Sequence, residues 1–174
     1  MIAIIDYGVG NLRSVEKAFS YLGRRALVTA EPKIVREADQ VVLPGVGAFG
    51  KSIDSLDRAG MVPVVKEVIA SGRPFLGICL GLQMLFEESA EVFGQETARV
   101  KGLGIIPGQV RRFNPKRLKV PQIGWNQIRI AKDTPILHGI ESESFVYFVH
   151  SYYVKPVNPE LIACTTNYEI DYCS

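Results

Sequence analysis

The chain has 174 residues, 47% hydrophobic and 22% charged. That is enough for one domain burying about 70% of its unfolded surface, and it argues against long disorder. Lys and Arg number 20 against 18 Asp and Glu, a net charge of +2, too weak a field to argue for nucleic acid. The apolar run opening MIAIIDYGVGN is too short for a signal peptide or membrane span, so a cytoplasmic protein with no membrane partner is expected.

Residues 2–5 (IAII) form a short apolar run closed by Asp6 and a Gly-containing turn, which predicts a buried parallel strand. Asn11 is placed to cap a helix in which Leu12, Val15, Phe19 and Leu22 recur at helical spacing, with Gly23 as its stop. A second strand is expected at 26–29, a short helix from Pro32 to residue 37, and a third strand at 40–44. The loop PGVGAFG follows, then helices at about 51–58 and 61–70, a fourth strand at 74–78, and a helix from Leu80 to Glu88. Strand and helix in alternation point to an α/β fold with an open, mostly parallel central sheet flanked by helices. Beyond residue 100 the segments GLGII, GQVRRF, NQIRI, SFVYFVH, YYVKP and LIACTT read as short strands, several of them antiparallel. The basic residues Arg111, Arg112, Lys116, Arg117 and Lys119 read first as a solvated loop.

The cysteines are Cys79, Cys164 and Cys173, an odd number without regular spacing, which fits neither a disulfide framework nor a metal site. Cys79 stands apart. In Gly77-x-Cys79-x-Gly81 it lies between a predicted strand and a predicted helix, the layout of a nucleophile elbow with Cys in place of Ser. The turn is sharp and its neighbours must be small. At a helix N-terminus the thiolate is expected to be favoured. The second Gly-rich loop, 44–47, also follows a strand, and strand ends that converge in an open α/β sheet make sites. Backbone N–H groups of such a loop suit an oxyanion hole.

GICLGLQ, PGVGAFG, DYGVGN, MLFEES and IGWNQI together resemble the class I (triad) glutamine amidotransferases, from residue 1 to the end. PGVGxFG, GWN and FVHSYY resemble the branch serving imidazole glycerol phosphate synthesis in histidine biosynthesis. The resemblance implies a flavodoxin-like fold, a single amidotransferase domain over 1–174, and no metal or organic cofactor. It implies Cys79 as the nucleophile toward L-glutamine, Gly45, Val46 and Gly47 as the oxyanion loop, and Gln83, Ser151 and Tyr152 as substrate-holding residues. Asn11, Trp125 and Tyr147 match positions that meet a (β/α)8-barrel cyclase subunit, the acceptor of the ammonia.

The family's base and its orienting acid come from a late segment resembling FxFHPE. This sequence has two histidines, His138 and His150, and neither matches. His150 belongs to FVHSYY and reads as a structural or substrate-loop histidine. The expectation is a domain lacking its last segment, with little or no glutaminase turnover. The alternative is a non-catalytic docking or regulatory partner with the same fold.

Overall fold

The computed structural model describes residues 1–91 and 99–174. Its first half alternates strand and helix: β1 (Ile2–Ile5), α1 (Leu12–Tyr21), β2 (Ala26–Thr29), α2 (Pro32–Glu37), β3 (Gln40–Gly45), α3 (Phe49–Arg58), α4 (Met61–Ala70), β4 (Phe75–Cys79) and α5 (Leu80–Gln83). Four of these strands form a parallel sheet in the order β2-β1-β3-β4. The α/β class expected from the pattern is therefore the fold observed.

Continuous apolar runs become strands here because helices or chain cover both sheet faces. Ala3, Ile4, Ile5 and Leu43 have no exposed surface, and Val64, Val65 and Val68 of α4 pack into the same core. At the start of α1, the Asn11 side chain accepts from the Ser14 N–H at 3.4 Å, satisfying one orphan donor. Leu12, Val15 and Phe19 are only half-buried, and Leu22, the helix C-cap, is 70% exposed. The predicted apolar stripe of α1 thus stops short of its last member.

The second half is β5 (Phe86–Ser89), β6 (Val100–Lys101), β7 (Ile106–Arg112), β8 (Gln122–Gln127), β9 (Arg129–Ile130), β10 (Phe145–His150), β11 (Tyr152–Pro156), β12 (Cys164–Asn167) and β13 (Asp171–Cys173). Seven of them form a mainly antiparallel sheet ordered β6-β5-β7-β11-β13-β12-β9, and β8 pairs with β10 as a separate antiparallel ribbon.

Two expectations are corrected, and one strand was not foreseen. The helix from Leu80 stops after one turn at Gln83, and the chain turns into β5. Phe86 there pairs in parallel with Ile106, so tertiary pairing overrides an apolar run that carried no clear period. GLGII is not a strand of its own: Gly102 lies against β5, where an added Cβ would come 2.2 Å from the Phe86 carbonyl oxygen, and only Ile106 joins β7. The three-residue β13 carries no sequence signal.

The basic loop is shaped by backbone bonds. Glu169, at φ +60°, accepts N–H bonds from Lys116, Arg117 and Leu118 at 2.7, 2.7 and 2.8 Å. The Tyr168 hydroxyl donates to the Lys119 carbonyl at 2.7 Å. Those three donors, Lys116 first, hold the Glu169 carboxyl below its ordinary range. Among the described residues no helix is long and apolar enough to cross a membrane.

Candidate active site

Cys79 ends β4 and caps α5, with φ +55° and ψ −113°. A non-glycine residue in that region is strained by about 1–3 kcal/mol and persists only where its surroundings enforce it. Here the enforcement is close packing of three backbones. An added Cβ on Gly77 would sit 2.7 Å from the Leu82 nitrogen, and one on Gly45 would sit 2.7 Å from the Gly81 nitrogen. The glycines flanking the thiol are there for close approach, as the elbow reading expected.

Register then brings the second loop alongside. Gly45 pairs with Cys79 across β3 and β4, so the chain leaving β3 at Val46 and Gly47 passes beside the sulfur. Buried Tyr7 braces this loop from below: its hydroxyl donates to the Pro44 carbonyl at 2.9 Å. Burial pushes the Tyr7 ionisation up to about 12, so it remains a donor. Sequence reasoning quoted DYGVGN but did not give Tyr7 this task.

A cavity of about 340 Å³ opens over the thiol, lined by Val46, Gly47, Cys79, Gln83, Ser151 and Tyr152 among others. Six of the predicted site residues therefore meet in one place. Gly45 lies beneath the cavity and is buried. Gln83 is fixed by a bond from its Nε2 to the Tyr152 carbonyl at 3.2 Å. Trp125 and Asn11 do not line it. Tyr147 borders an adjoining cavity of about 280 Å³ that shares Cys79, Gln83 and Tyr152.

Glu91 was missed. It lines the cavity, and its Oε2 accepts the Phe49 N–H at 3.0 Å at the start of α3. It stands twelve residues beyond the thiol, outside any helix or strand, and no local pattern marks such an acid. The only usable signal was an acidic residue closing the segment that follows the elbow.

The electrostatics correct a further expectation. Cys79 is exposed by surface area, yet protein crowds its sulfur enough that desolvation raises the thiol above its ordinary value. The Leu80 N–H pulls it down by less. A helix of four residues has little macrodipole to offer. Alkylation of Cys79 by iodoacetamide is therefore expected to rise about tenfold per pH unit through neutrality and to level off only above the ordinary thiol range. Mass-spectrometric mapping at a series of pH values checks this; a rate already flat at pH 7 would contradict it.

His150 lines the cavity as well. Its Nδ1 lies 2.8 Å from the Tyr152 carbonyl oxygen, and its Nε2 lies 3.3 Å from the Tyr172 hydroxyl. Burial lowers its pKa, outweighing the Tyr152 bond. His138 lies elsewhere, with its Nε2 3.6 Å from Asp133 at the surface.

The matching family model is glutamine amidotransferase class-I, over residues 3–173. The chain belongs to the class-I glutamine amidotransferases. Curated relatives of this amidotransferase include the imidazole glycerol phosphate synthase subunit HisH of Syntrophotalea carbinolica, 51% identical over all of this chain and 85% of that protein. The subunit of the same name from Geobacter metallireducens is 49% identical over 99% of this chain and 83% of that one. The one from Methanothermobacter thermautotrophicus is 50% identical over 98% and 81%. Among solved structures, a glutamine amidotransferase superposes with TM-score 0.70 at 14% identity, covering 96% of this chain and 85% of the other. A Thermotoga maritima glutamine amidotransferase gives 0.58 at 20% identity, over 89% and 62%. At those identities the superpositions speak for the fold alone.

Proposed function

We propose that this amidotransferase is the glutaminase subunit of an imidazole glycerol phosphate synthase, and that the cavity over Cys79 holds L-glutamine. The observation that carries the reading is a thiol on a strained elbow sharing a cavity with Glu91, the one carboxylate among the described lining residues. A free amino acid differs from a peptide in its α-ammonium group, and a cavity that selects it needs an anion there. Glu91 supplies that anion. Gln83, Ser151 and Tyr152 present amide, hydroxyl and backbone groups for the rest of the substrate.

The chemistry follows from the atoms present. The Cys79 sulfur attacks the side-chain carbonyl carbon of glutamine, and the oxygen takes up negative charge facing the Gly45–Gly47 backbone. The C–N bond then breaks, the nitrogen leaves with the thiol proton as ammonia, and a thioester remains. Water cleaves it, releasing glutamate and restoring the thiol. Such a reaction belongs in a reducing cytoplasm, where a free thiol survives.

For the ammonia's destination we propose a (β/α)8-barrel cyclase, which uses it to make imidazole glycerol phosphate and aminoimidazole carboxamide ribotide. The docking face we assign is the outer side of the β8/β10 ribbon. There Trp125 is 69% exposed and Tyr147 56%, their rings meeting edge to face with centroids 5.6 Å apart. Ile123, Phe145 and Val149 lie exposed on the same ribbon. A contiguous apolar strip of this kind marks an interaction surface. Asn11 is not in this strip; its side chain caps α1. Trp125→Ala is expected to weaken association with the cyclase about 30-fold, the size of an aromatic hot spot, as measured by titration calorimetry.

The deciding test of the glutamine reading is Glu91→Gln, which keeps an oxygen for the Phe49 N–H and removes the charge. It is expected to raise the half-saturating concentration of the glutamine analogue 6-diazo-5-oxo-L-norleucine, read by Cys79 labelling, by about tenfold to a hundredfold. The iodoacetamide rate should stay as it was. An unchanged half-saturation would remove Glu91 from the substrate and leave the cavity without its amino-acid selectivity.

A further inference from the structure

The buried wall behind His150 contains a hydrogen-bonding conflict whose resolution points outward to the site. Gln122 is 3% exposed and its Nε2 has no partner among the described residues, while its Oε1 lies 3.0 Å from the Tyr172 hydroxyl. That hydroxyl also lies 3.3 Å from His150 Nε2 and meets the Thr166 side chain, whose own hydroxyl can donate to it, and it has one hydrogen to give. The other imidazole nitrogen, Nδ1, lies 2.8 Å from the Tyr152 carbonyl oxygen. A carbonyl can only accept, so Nδ1 carries a hydrogen. Burial keeps the ring neutral, so Nε2 carries a lone pair. If Tyr172 donated to Gln122, two lone pairs would face each other and a buried amide N–H₂ would stay unpaired. Turning the Gln122 amide over removes both faults. Nε2–H of Gln122 then donates to Tyr172, Tyr172 donates to His150 Nε2, and His150 Nδ1–H donates to the Tyr152 carbonyl. An unpaired buried carbonyl oxygen is tolerated better than an unpaired N–H.

The relay ends in the site. The Tyr152 carbonyl that accepts from His150 also accepts from Gln83 Nε2, and Gln83 lines the cavity with Cys79. Phe113 holds the two rings in place, edge on to His150 at 5.2 Å and to Tyr172 at 5.0 Å between centroids. We infer that Tyr172 is a positioning residue for the glutamine cavity, acting through the orientation of the His150 ring and the Tyr152 carbonyl on Gln83. The inference rests on the glutamine reading above and assigns how its substrate wall is held.

The test uses Tyr172→Phe, which keeps the ring and removes the hydroxyl. The chain has two histidines, so a long-range ¹H–¹⁵N spectrum resolves each imidazole tautomer. The unmodified protein is expected to show His150 as the Nδ1–H form at neutral pH with its Nε2 resonance shifted by the Tyr172 hydrogen bond, and Tyr172→Phe to keep that tautomer while its Nε2 resonance moves to that of an unbonded ring nitrogen. The half-saturating concentration of 6-diazo-5-oxo-L-norleucine for Cys79 should rise about fivefold, as for one neutral hydrogen bond. The limiting labelling rate and the iodoacetamide rate should stay within about twofold. If Tyr172→Phe fails to fold, Gln122→Met, which removes the donor that polarises the hydroxyl, is expected to move the Nε2 resonance and the half-saturation in the same directions by less. A pure Nε2–H tautomer in the unmodified protein, or a variant that changes neither readout, overturns the inference. Absence of any analogue labelling of the unmodified protein would overturn the glutamine reading and this inference together. A shifted Nε2 resonance with unchanged half-saturation overturns this inference alone.

Discussion

Cys79→Ala abolishes covalent labelling of the 174-residue polypeptide by 6-diazo-5-oxo-L-norleucine, read as the loss of a single adduct in the intact mass. No other thiol can stand in. Cys164 is buried, with its sulfur 2.7 Å from the Ser174 carbonyl oxygen, and burial pushes the Cys173 thiol up to about 11. Removing the atom that forms the bond leaves only binding and polarisation, a loss of about a thousandfold or more in any turnover present. Single-turnover labelling and sustained hydrolysis separate here. Labelling needs the sulfur and the cavity, whereas turnover also needs a base to move the thiol proton to the leaving nitrogen. The nitrogens of His150 are engaged by Tyr152 and Tyr172, and His138 lies with Asp133. The unmodified polypeptide is therefore expected to take up one equivalent of analogue while releasing ammonia from glutamine slowly. An adduct that persists on the alanine variant would place the reactive group elsewhere.

Gly81→Ala is expected to unfold the elbow. A Cβ at that position would stand 1.8 Å from the Leu43 carbonyl oxygen and 2.9 Å from its carbon, and neither can retreat. Leu43 has no exposed surface and is paired with Gly77 in the sheet. Either α5 lifts away from β3 or the strand breaks its register. Clashes of this kind belong to the rare class that costs more than about 4 kcal/mol, which for a chain of this length lowers Tm by roughly 10 °C. Gly72→Ala is the comparison, because a Cβ there meets nothing within 4 Å and only the φ of +73° is disfavoured, a cost of about 1–2 kcal/mol. Thermal unfolding by circular dichroism ranks the two; equal melting temperatures would mean that the elbow is not the close three-way contact described.

The first half of the fold was legible because each element carried its own local reason. IAII and QVVLP are continuous apolar runs, Asn11 caps, and Gly23 follows the last turn of α1, so β1, α1 and β3 could be drawn without tertiary knowledge. The segment after Cys79 could not. In LGLQMLFEES the apolar residues fit a helix or a buried strand equally, and pairing with β7, twenty residues on, decides for strand beyond Gln83. The site was legible where chemistry demanded small residues in fixed spacing, as around the thiol. It was not legible for Glu91 or Tyr7, whose importance comes from what the folded chain places opposite them. The thiol's electrostatics were misjudged for a related reason. Helix length and local crowding set the balance, and neither can be read from GICLG.

The Glu169 contacts have a consequence for how this chain can drift. Its carboxylate grips amide hydrogens at 116–118, which every residue except proline possesses, and no side chain of Lys116, Arg117 or Leu118 takes part in those bonds. Contour depends on charge along this stretch only through Arg117, whose cation also favours the Glu169 carboxylate: the side chain at 116 can be exchanged while the curve of the backbone survives, provided the acid at 169 is kept.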